Sequence, residues 1–526
     1  MDLVRTYHER SKHHLERYAP GPGGLDWSSQ PDPFRRYAGA RLLQLPLLAE
    51  ELPVRWDELF DAVGVPPQAL TVGNIAHLLQ LSLGLSAWKS YGDNRWALRC
   101  NPSSGNLHPT EGYLICPDLP GLGAGVHHYR PDQHGLECRA TAPFAWSGGV
   151  FVALTGIHWR EAWKYGVRAF RYCQHDCGHA LAAVSYAAAV LGWPARLLSG
   201  WGDDEIAALT GVNRADDFPI DETETPEALV WVGPGDPPTS GLALASLSAA
   251  PWFGFANTLS SQRRDWPDIP AVAAATHKPS GIAGLLPNRE PLPALAQASN
   301  VPVSRLIRAR RSAQAFDDVT TLAAHRFYRM LDALLPRNCQ APWSLLDEAP
   351  CVHPIVFVHR VDGLEAGIYC MPRSPAALTE LHAAMRPDWL WQRIPDCPAH
   401  LPLYLLAPLD MRAFAATASC HQDIAADSVF MLAMLARFDD ISPTCPWLYR
   451  QRFWEAGMLG QVLYLEAEAS ALQGTGIGCY FDDVVHSALG LNTERFQDLY
   501  HFTVGKAVID TRLGSEAAYA HLERGT

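Results

Sequence analysis

Two stretches of this 526-residue chain carry the same punctuation in the same order. A helical stretch is expected from about His158 to Leu191, because Phe170, Cys173, Cys177, Leu181, Val184, Ala188 and Leu191 recur at steps of three or four. A second is expected from about Phe453 to Leu472. Gly178-His179 in the first answers to Gly460-Gln461 in the second, and Gly192 then answers to Gly474. Each helix is followed by an acid pair, Asp203-Asp204 or Asp482-Asp483. Each then reaches a similar ending, Leu209-Thr210-Gly211-Val212-Asn213 or Leu489-Gly490-Leu491-Asn492. Order and spacing together favour an internal duplication. The stretch from Gly233 to about Ser299 is rich in Pro, Gly, Ala and Ser and reads as a long connection with weak structure of its own. The chain thus divides into a unit over 1–235, a linker over 236–299 and a unit over 300–526. A chain of this length exceeds one ordinary core, which agrees with the division.

Short apolar runs supply strands: Ala228 to Val232, Val352 to Val358 and Leu401 to Leu406. A glycine-bounded turn before an aromatic strand recurs at Gly125-Val126-His127-His128-Tyr129 and Gly367-Ile368-Tyr369. Helices interspersed with short strands predict an α+β sandwich in each half.

The net charge of −13, from 42 Lys plus Arg against 55 Asp plus Glu, argues against nucleic acid as a partner, since phosphate backbones need a basic footprint. Met1 to His14 is charged and lacks the apolar core of a signal peptide. No run of about 18 apolar residues predicts a membrane span. The 12 cysteines are scattered, as suits reduced thiols in a cytoplasm. Cys173 and Cys177 lie one helical turn apart, as do His175 and His179, but the two pairs point to different faces, so no metal site is expected there.

Three segments look like parts of one anion-and-ring site. Arg308-Ala309-Arg310-Arg311-Ser312-Ala313-Gln314 clusters guanidiniums beside a hydroxyl, which suits a phosphate monoester. Taken alone it also fits a solvated basic helix face. Asn101-Pro102-Ser103-Ser104-Gly105-Asn106 keeps the backbone close to a flat ligand, with hydroxyls and an amide for its polar edge. Gly474-Thr475-Gly476-Ile477-Gly478 allows close backbone approach, or simply caps the preceding helix. It is not a dinucleotide fingerprint, because it follows a helix rather than a strand.

Together these segments resemble the FMN-contact regions of the nitroreductase superfamily. Trp163-Lys164-Tyr165-Gly166, with Arg168, Arg171 and Gly178-His179, resembles more closely its SagB-type branch, the ThcOx-like azoline dehydrogenases. The resemblance covers most of both halves and implies two tandem three-layer α/β/α sandwich domains forming an intramolecular pseudo-dimer. Family members are usually homodimers with FMN at the interface. That layout implies a composite site here. The second half would give Arg310, Arg311, Ser312, Gln314, Gly476, Ile477 and Gly478, with Arg512 as a further phosphate contact. The first half would give Pro102, Ser103, Ser104, Gly105 and Asn106. The reciprocal arm near Arg10-Ser11-Lys12-His13, the turn near Pro336-Arg337-Asn338-Cys339 and the loop Trp193-Pro194-Ala195-Arg196 depart from the pattern, so one FMN per chain is expected.

The resemblance implies that Lys164 and Tyr165 are catalytic. Oxidation sends a hydride to flavin N5 and a proton to a base, and such a pair can handle the proton. Opposite them the repeat places Pro446-Trp447, so the second half has no equivalent. His127, His128 and His179 are further acid-base candidates, although a helical His beside Gly is more often a packing residue. The expected activity is dehydrogenation of a small molecule or modified peptide, azoline-to-azole oxidation included. The alternatives are an NAD(P)H-dependent nitro or quinone reductase, and a non-catalytic scaffold that binds a modification-complex partner. The pseudo-dimer is expected to be able to stand as a monomer.

Overall fold

A computed structural model describes residues 2–61, 64–284, 289–491 and 494–523. Two seven-stranded sheets dominate it, and every strand pair within them is antiparallel. The first contains β1 (Leu42–Gln44), β2 (Thr110–Cys116), β3 (Gly125–Arg130), β4 (Gly135–Thr141), β5 (Val150–Gly156), β6 (Ala195–Leu197) and β7 (Thr225–Val232), in the order β1-β4-β3-β2-β5-β7-β6. The second contains β8 (Val352–Val358), β9 (Gly367–Cys370), β10 (Gln392–Arg393), β11 (Tyr404–Pro408), β12 (Phe430–Arg437), β13 (Gln473–Ile477) and β14 (Phe496–Gly505), in the order β10-β11-β9-β8-β12-β14-β13. Six strands of each sheet follow the same path, and only the outermost edge strand is recruited from a different place in the chain.

Each sheet is buried on both faces. Val150, Val152 and Leu154 of β5 point into the central core, while Phe151 and Ala153 point into an outer cluster. In the second sheet, Val352, Val356 and Val358 of β8 face the central core, and Ile355 and Phe357 face outward. This period-two alternation between two apolar layers makes the strands near-continuous hydrophobic runs. Each half is therefore an α+β sandwich. Among the described residues, no helix is long and apolar enough to cross a membrane.

The halves meet through two central helices, α3 (Ala169–Val190) and α6 (Leu448–Ala469), each 22 residues long. The shorter helices that matter below are α1 (Leu3–Arg10), α2 (His158–Tyr165), α4 (Asp203–Thr210), α5 (Val303–Ala309) and α7 (Val484–Leu489). The helix expected over His158 to Leu191 is broken at Gly166, whose φ of 56° separates α2 from α3. Laid end to end, α3 and α6 pair Arg171 with Arg450 and Gly178 with Gly457. The same shift takes Asp203 to Asp482 and Gly211 to Gly490. Contacts across the interface obey it reciprocally. A Cβ on Gly178 would strike the Trp454 backbone, and one on Gly457 would strike the His175 carbonyl. Arg171 pairs with Asp482, and Arg450 pairs with Asp203, all four buried. This exchange of partners is the pattern of a two-fold interface, here within one chain.

The sequence-based match of Gly178 to Gly460 is thus off by one helical turn. Gly457 is the true counterpart, and Gly460 instead makes room for His179. In the corrected register Pro443-Thr444, not Pro446-Trp447, stands opposite Lys164-Tyr165. Asn492, the last residue of the second repeat ending, lies outside the described residues.

The stretch over 236–299 carries more structure than its composition suggests. It contains helices at Ser240–Leu247 and Asp268–Ala275, and Phe255–Ala256 pairs with Tyr37–Ala38. Ala243 and Leu247 bury into the outer cluster of the first half, and Val272 into the central core.

Candidate functional site

Arg310, Arg311 and Ser312 follow α5 directly, where the chain runs alongside β13: Ser312 makes a parallel bridge to Gly474. The glycine segment, expected to allow close backbone approach or else to cap the preceding helix, is an edge strand over Gln473–Ile477. Its alternation decides which residues reach the site. Gly476 faces a cavity, while Ile477 points the other way into the outer core. A Cβ on Gly476 would overlap the Tyr500 hydroxyl, and one on Gly478 would overlap the Tyr172 ring, so both positions require glycine.

From the first half, Pro102 to Asn106 forms a tight turn ahead of β2. Gly105, Asn106 and His108 all have φ between 54° and 60°, the left-handed region that non-glycine residues enter at a cost. The turn is held by its own side chains. Ser103 Oγ accepts from the His108 N–H at 2.8 Å, and Asn106 Nδ2 donates to the Ala97 carbonyl at 2.9 Å. Ser104 donates through its N–H and its hydroxyl to Asp176, at 3.1 Å each.

These pieces enclose one cavity of about 510 Å3. It is lined by Arg310, Arg311, Ser312, Gln314 and Gly476 from the second half and by Pro102 to Asn106 from the first. The Arg310 guanidinium donates to the carbonyls of Arg99 and Cys100, 2.9 and 3.2 Å away, so this arm clasps the opposite half. Arg311 donates to Ser86 O at 3.1 Å. Arg512 does not join the lining. It is exposed, pairs with Asp510 at 2.7 Å and lies over the Tyr91 ring.

Lys164 and Tyr165 end α2 directly behind the turn. A Cβ on Gly105 would lie 2.6 Å from the Tyr165 hydroxyl and 3.2 Å from Lys164 Nζ. Burial, then the neighbouring Glu161, pushes the Tyr165 phenol well above its usual range, so it keeps its proton. His179 lines the cavity, with ring nitrogens 3.3 Å from Gln461 and 3.1 Å from Tyr500. Burial lowers its pKa to about 3, which makes it a neutral hydrogen-bonded residue. His127 and His128 sit on β3 away from the cavity, His127 on the Gly123 carbonyl and His128 between Glu111 and Glu137.

Several lining residues escaped the sequence reading. Lys89 and Trp96 come from a hairpin, Leu85–Tyr91 and Asn94–Arg99, whose outer strand pairs with Gly514–Ala517 from the other half. Tyr464 of α6 bonds Ser312 Oγ at 2.8 Å. Asp176 of α3 is buried against the cavity with its pKa raised to about 7 by burial, which the Ser103 and Ser104 hydrogen bonds only partly offset. Glu161 lies beside it, 3.5 Å from Ser103 Oγ, and is also pushed up, by burial and by the Asp176 charge. An acid two residues before a helix glycine gives no sequence signal. Its proximity to Ser104 exists only once α3 packs behind the turn.

The corrected repeat register identifies a counterpart. It takes Asp176 to Glu455, His179 to Met458 and Gly476 to Leu197. All three counterparts line a second cavity, of about 30 Å3, filled in by Leu345, Leu346 and Leu181. There Glu455 is tied to Arg373 and to the Cys351 N–H. The segment facing this cavity is Leu345 to Ala349 rather than the expected Pro336 to Cys339, because Arg337 is drawn away to Asp332. Among the described residues, no group of three or more His, Cys, Asp or Glu is placed to hold a metal ion.

No protein-family model matches the chain. A putative nitroreductase of Methanocaldococcus jannaschii is 26% identical over 150 residues, which cover 26% of this chain and 72% of that protein. The crystal structure of a putative nitroreductase from Anabaena variabilis superposes with a TM-score of 0.69 at 21% identity, covering 97% of this chain and all of that one. The fold, with both halves in one chain, is therefore that of a known nitroreductase-like structure.

Proposed function

We propose that this chain is an FMN-dependent oxidoreductase of the SagB type, derived by tandem duplication, with one FMN per chain. The observation that carries this reading is the convergence of the arginine arm, the glycine strand and the Pro-Ser-Ser-Gly-Asn turn on one cavity built by both halves. Its volume lies within the range of roughly 300–1,000 Å3 common for cofactor and ligand sites. Arg310, Arg311 and Ser312 fit a phosphate group, Gln314 and the turn fit a polar ring edge, and Gly476 leaves the wall flat for a ring. Ile477 and Gly478 flank that wall from outside the cavity, while Arg512 stays exposed beside Asp510. Bound there, FMN would supply a two-electron hydride acceptor at its N5.

The chain's own residues do the rest. Arg310, anchored to Arg99 and Cys100, holds the two halves of the site in register. Lys164 and Tyr165 stand behind Gly105, with Tyr165 retaining its proton as a donor. Asp176 exchanges a proton near neutrality and is the group best placed to accept the one released on oxidation. The Trp96 hairpin forms one wall of the cavity. The closure of the counterpart cavity supports a single flavin.

The substrate class proposed is a small molecule or modified peptide undergoing C–N or C–C desaturation, azoline oxidation included, with a modification-complex partner for the peptide case. The test is the absorbance spectrum of purified protein, with released flavin counted per chain. About one FMN per chain is the expected result. None, even after FMN is added, would leave the scaffold reading in its place. NAD(P)H consumption faster than that of free FMN would favour the nitro or quinone reductase reading.

A further inference from the structure

Just beyond the glycine strand, on the far side of Tyr172 from the cavity, two half-buried cysteines from separate segments face each other. Cys479 follows Gly478, and Cys420 follows the helix Arg412–Ala418. Backbone and side-chain bonds hold the two segments together. The Phe481 N–H donates to the Ala418 carbonyl at 2.8 Å. Gln422 Nε2 spans the Ser419 and Cys479 carbonyls, at 2.8 and 3.0 Å. These contacts bracket the two thiols, whose side chains interact across them. Cys420 and His421 both have left-handed backbone, φ 54° and 60°, a strained pair of non-glycine residues that aims the Cys420 side chain at its neighbour.

Around Cys479 the surroundings favour a thiolate. His13 Nδ1 accepts from the Ala19 N–H at 2.8 Å, which fixes the ring hydrogen on Nε2, and the imidazole lies beside the Cys479 sulfur. Arg168 grips the Gly478 carbonyl through Nε and Nη2 at 3.2 and 3.1 Å and brings its charge beside the sulfur. The Cys420 hydrogen bond, and then His13 and Arg168 against the opposing effect of burial, hold Cys479 below the ordinary thiol range. Cys420 moves the opposite way, mainly through its hydrogen bond to Cys479. A low-pKa thiol with a neutral thiol in reach is the arrangement of an attacking and a resolving cysteine.

We propose that Cys479 and Cys420 form a redox-active pair that takes oxidising equivalents from a hydroperoxide. The Cys479 thiolate attacks the peroxide oxygen, breaking the O–O bond; with one proton taken up, an alcohol or water leaves and Cys479 becomes a sulfenic acid. The Cys420 thiol then displaces water from that sulfur, giving the Cys420–Cys479 disulfide. A dithiol reductant reverses the change by thiol–disulfide exchange. This pair needs no flavin, and its test is independent of the cofactor.

The full chain, reduced and freed of reductant, is treated with hydrogen peroxide, and its cysteines are mapped by mass spectrometry. A disulfide linking Cys420 to Cys479 is expected to form roughly tenfold or more faster than exposed Cys339 is oxidised. In Cys420→Ser, a dimedone adduct should accumulate on Cys479. In Cys479→Ser, Cys420 should react no faster than Cys339. Oxidation of Cys339 while Cys420 and Cys479 of the unaltered chain remain free thiols would overturn the proposal.

Discussion

At the scale of the residue, Asp176 is the most telling group. Its counterpart Glu455 is neutralised by Arg373, whereas Asp176 has no ion pair among the described residues and meets the Ser103 and Ser104 hydroxyls, Glu161 and the cavity. A buried carboxyl without a cation is costly when charged. Its folded pKa of about 7 lies above the unfolded value of 3.8, so the folded state binds the extra proton between these limits. Stability from this group is therefore present below about pH 4 and is lost as pH rises through neutrality. Asp176→Asn should stabilise the fold at about pH 8 by on the order of 1–3 kcal/mol, read as a higher melting temperature, and leave it nearly unchanged at about pH 4. If Asp176 takes the substrate proton, the same variant should also remove the step near neutrality from the pH profile of kcat. Lys164→Ala should leave flavin bound, by absorbance, and slow turnover by about two orders of magnitude. Arg310→Ala removes a buried guanidinium that also clasps the opposite half, so flavin retention on gel filtration should fall at least about tenfold.

At the scale of the element, the crossing of α3 and α6 depends on two glycines at one point of closest approach. Gly457→Leu should separate the helices or misfold the chain, with a loss of stability of roughly 1–3 kcal/mol or more in a denaturant titration. Gly460→Ala meets only side chains, those of His179 and Tyr500, and should cost less. The same elements mark how far the sequence could be read. Val352–Val358 was legible to the residue because its Val, Ile and Phe residues make a dense β-branched and aromatic run in spite of His353 and Pro354. Helix α6 was legible in kind, but its register against α3 was not. The sequence offers both Gly457 and Gly460 as matches for Gly178, and only backbone contact distinguishes them. The glycine segment carried no strand signal, because three glycines in five residues have no strand propensity. Its strand is imposed by β14 beside it. The arm, turn and glycine strand could be picked out from residue types. Asp176, Tyr464 and the Trp96 hairpin could not, since their place at the cavity depends on packing between distant segments.

At the scale of the whole molecule, the crossed pairs Arg171–Asp482 and Arg450–Asp203 lock one half to the other. Burial alone would push the Asp482 carboxyl up, but Arg168 and Arg171 outweigh it and hold it well below the usual range. Asp482→Asn leaves two buried guanidiniums uncompensated and should cost about 3–5 kcal/mol, read as a lower denaturation midpoint. Because Arg168 also grips Gly478, the variant should release flavin more readily too, which a stoichiometry measurement would detect.

The unequal cavities have a consequence for inheritance. In a symmetric homodimer each codon is read into both sites, so a leucine that seals one pocket seals the other. Here Leu197 and Gly476 are separate codons, and a change in one half is felt once. Such a chain is free to turn one pocket into solid core while the other is tuned for chemistry, a division of labour that identical subunits cannot reach.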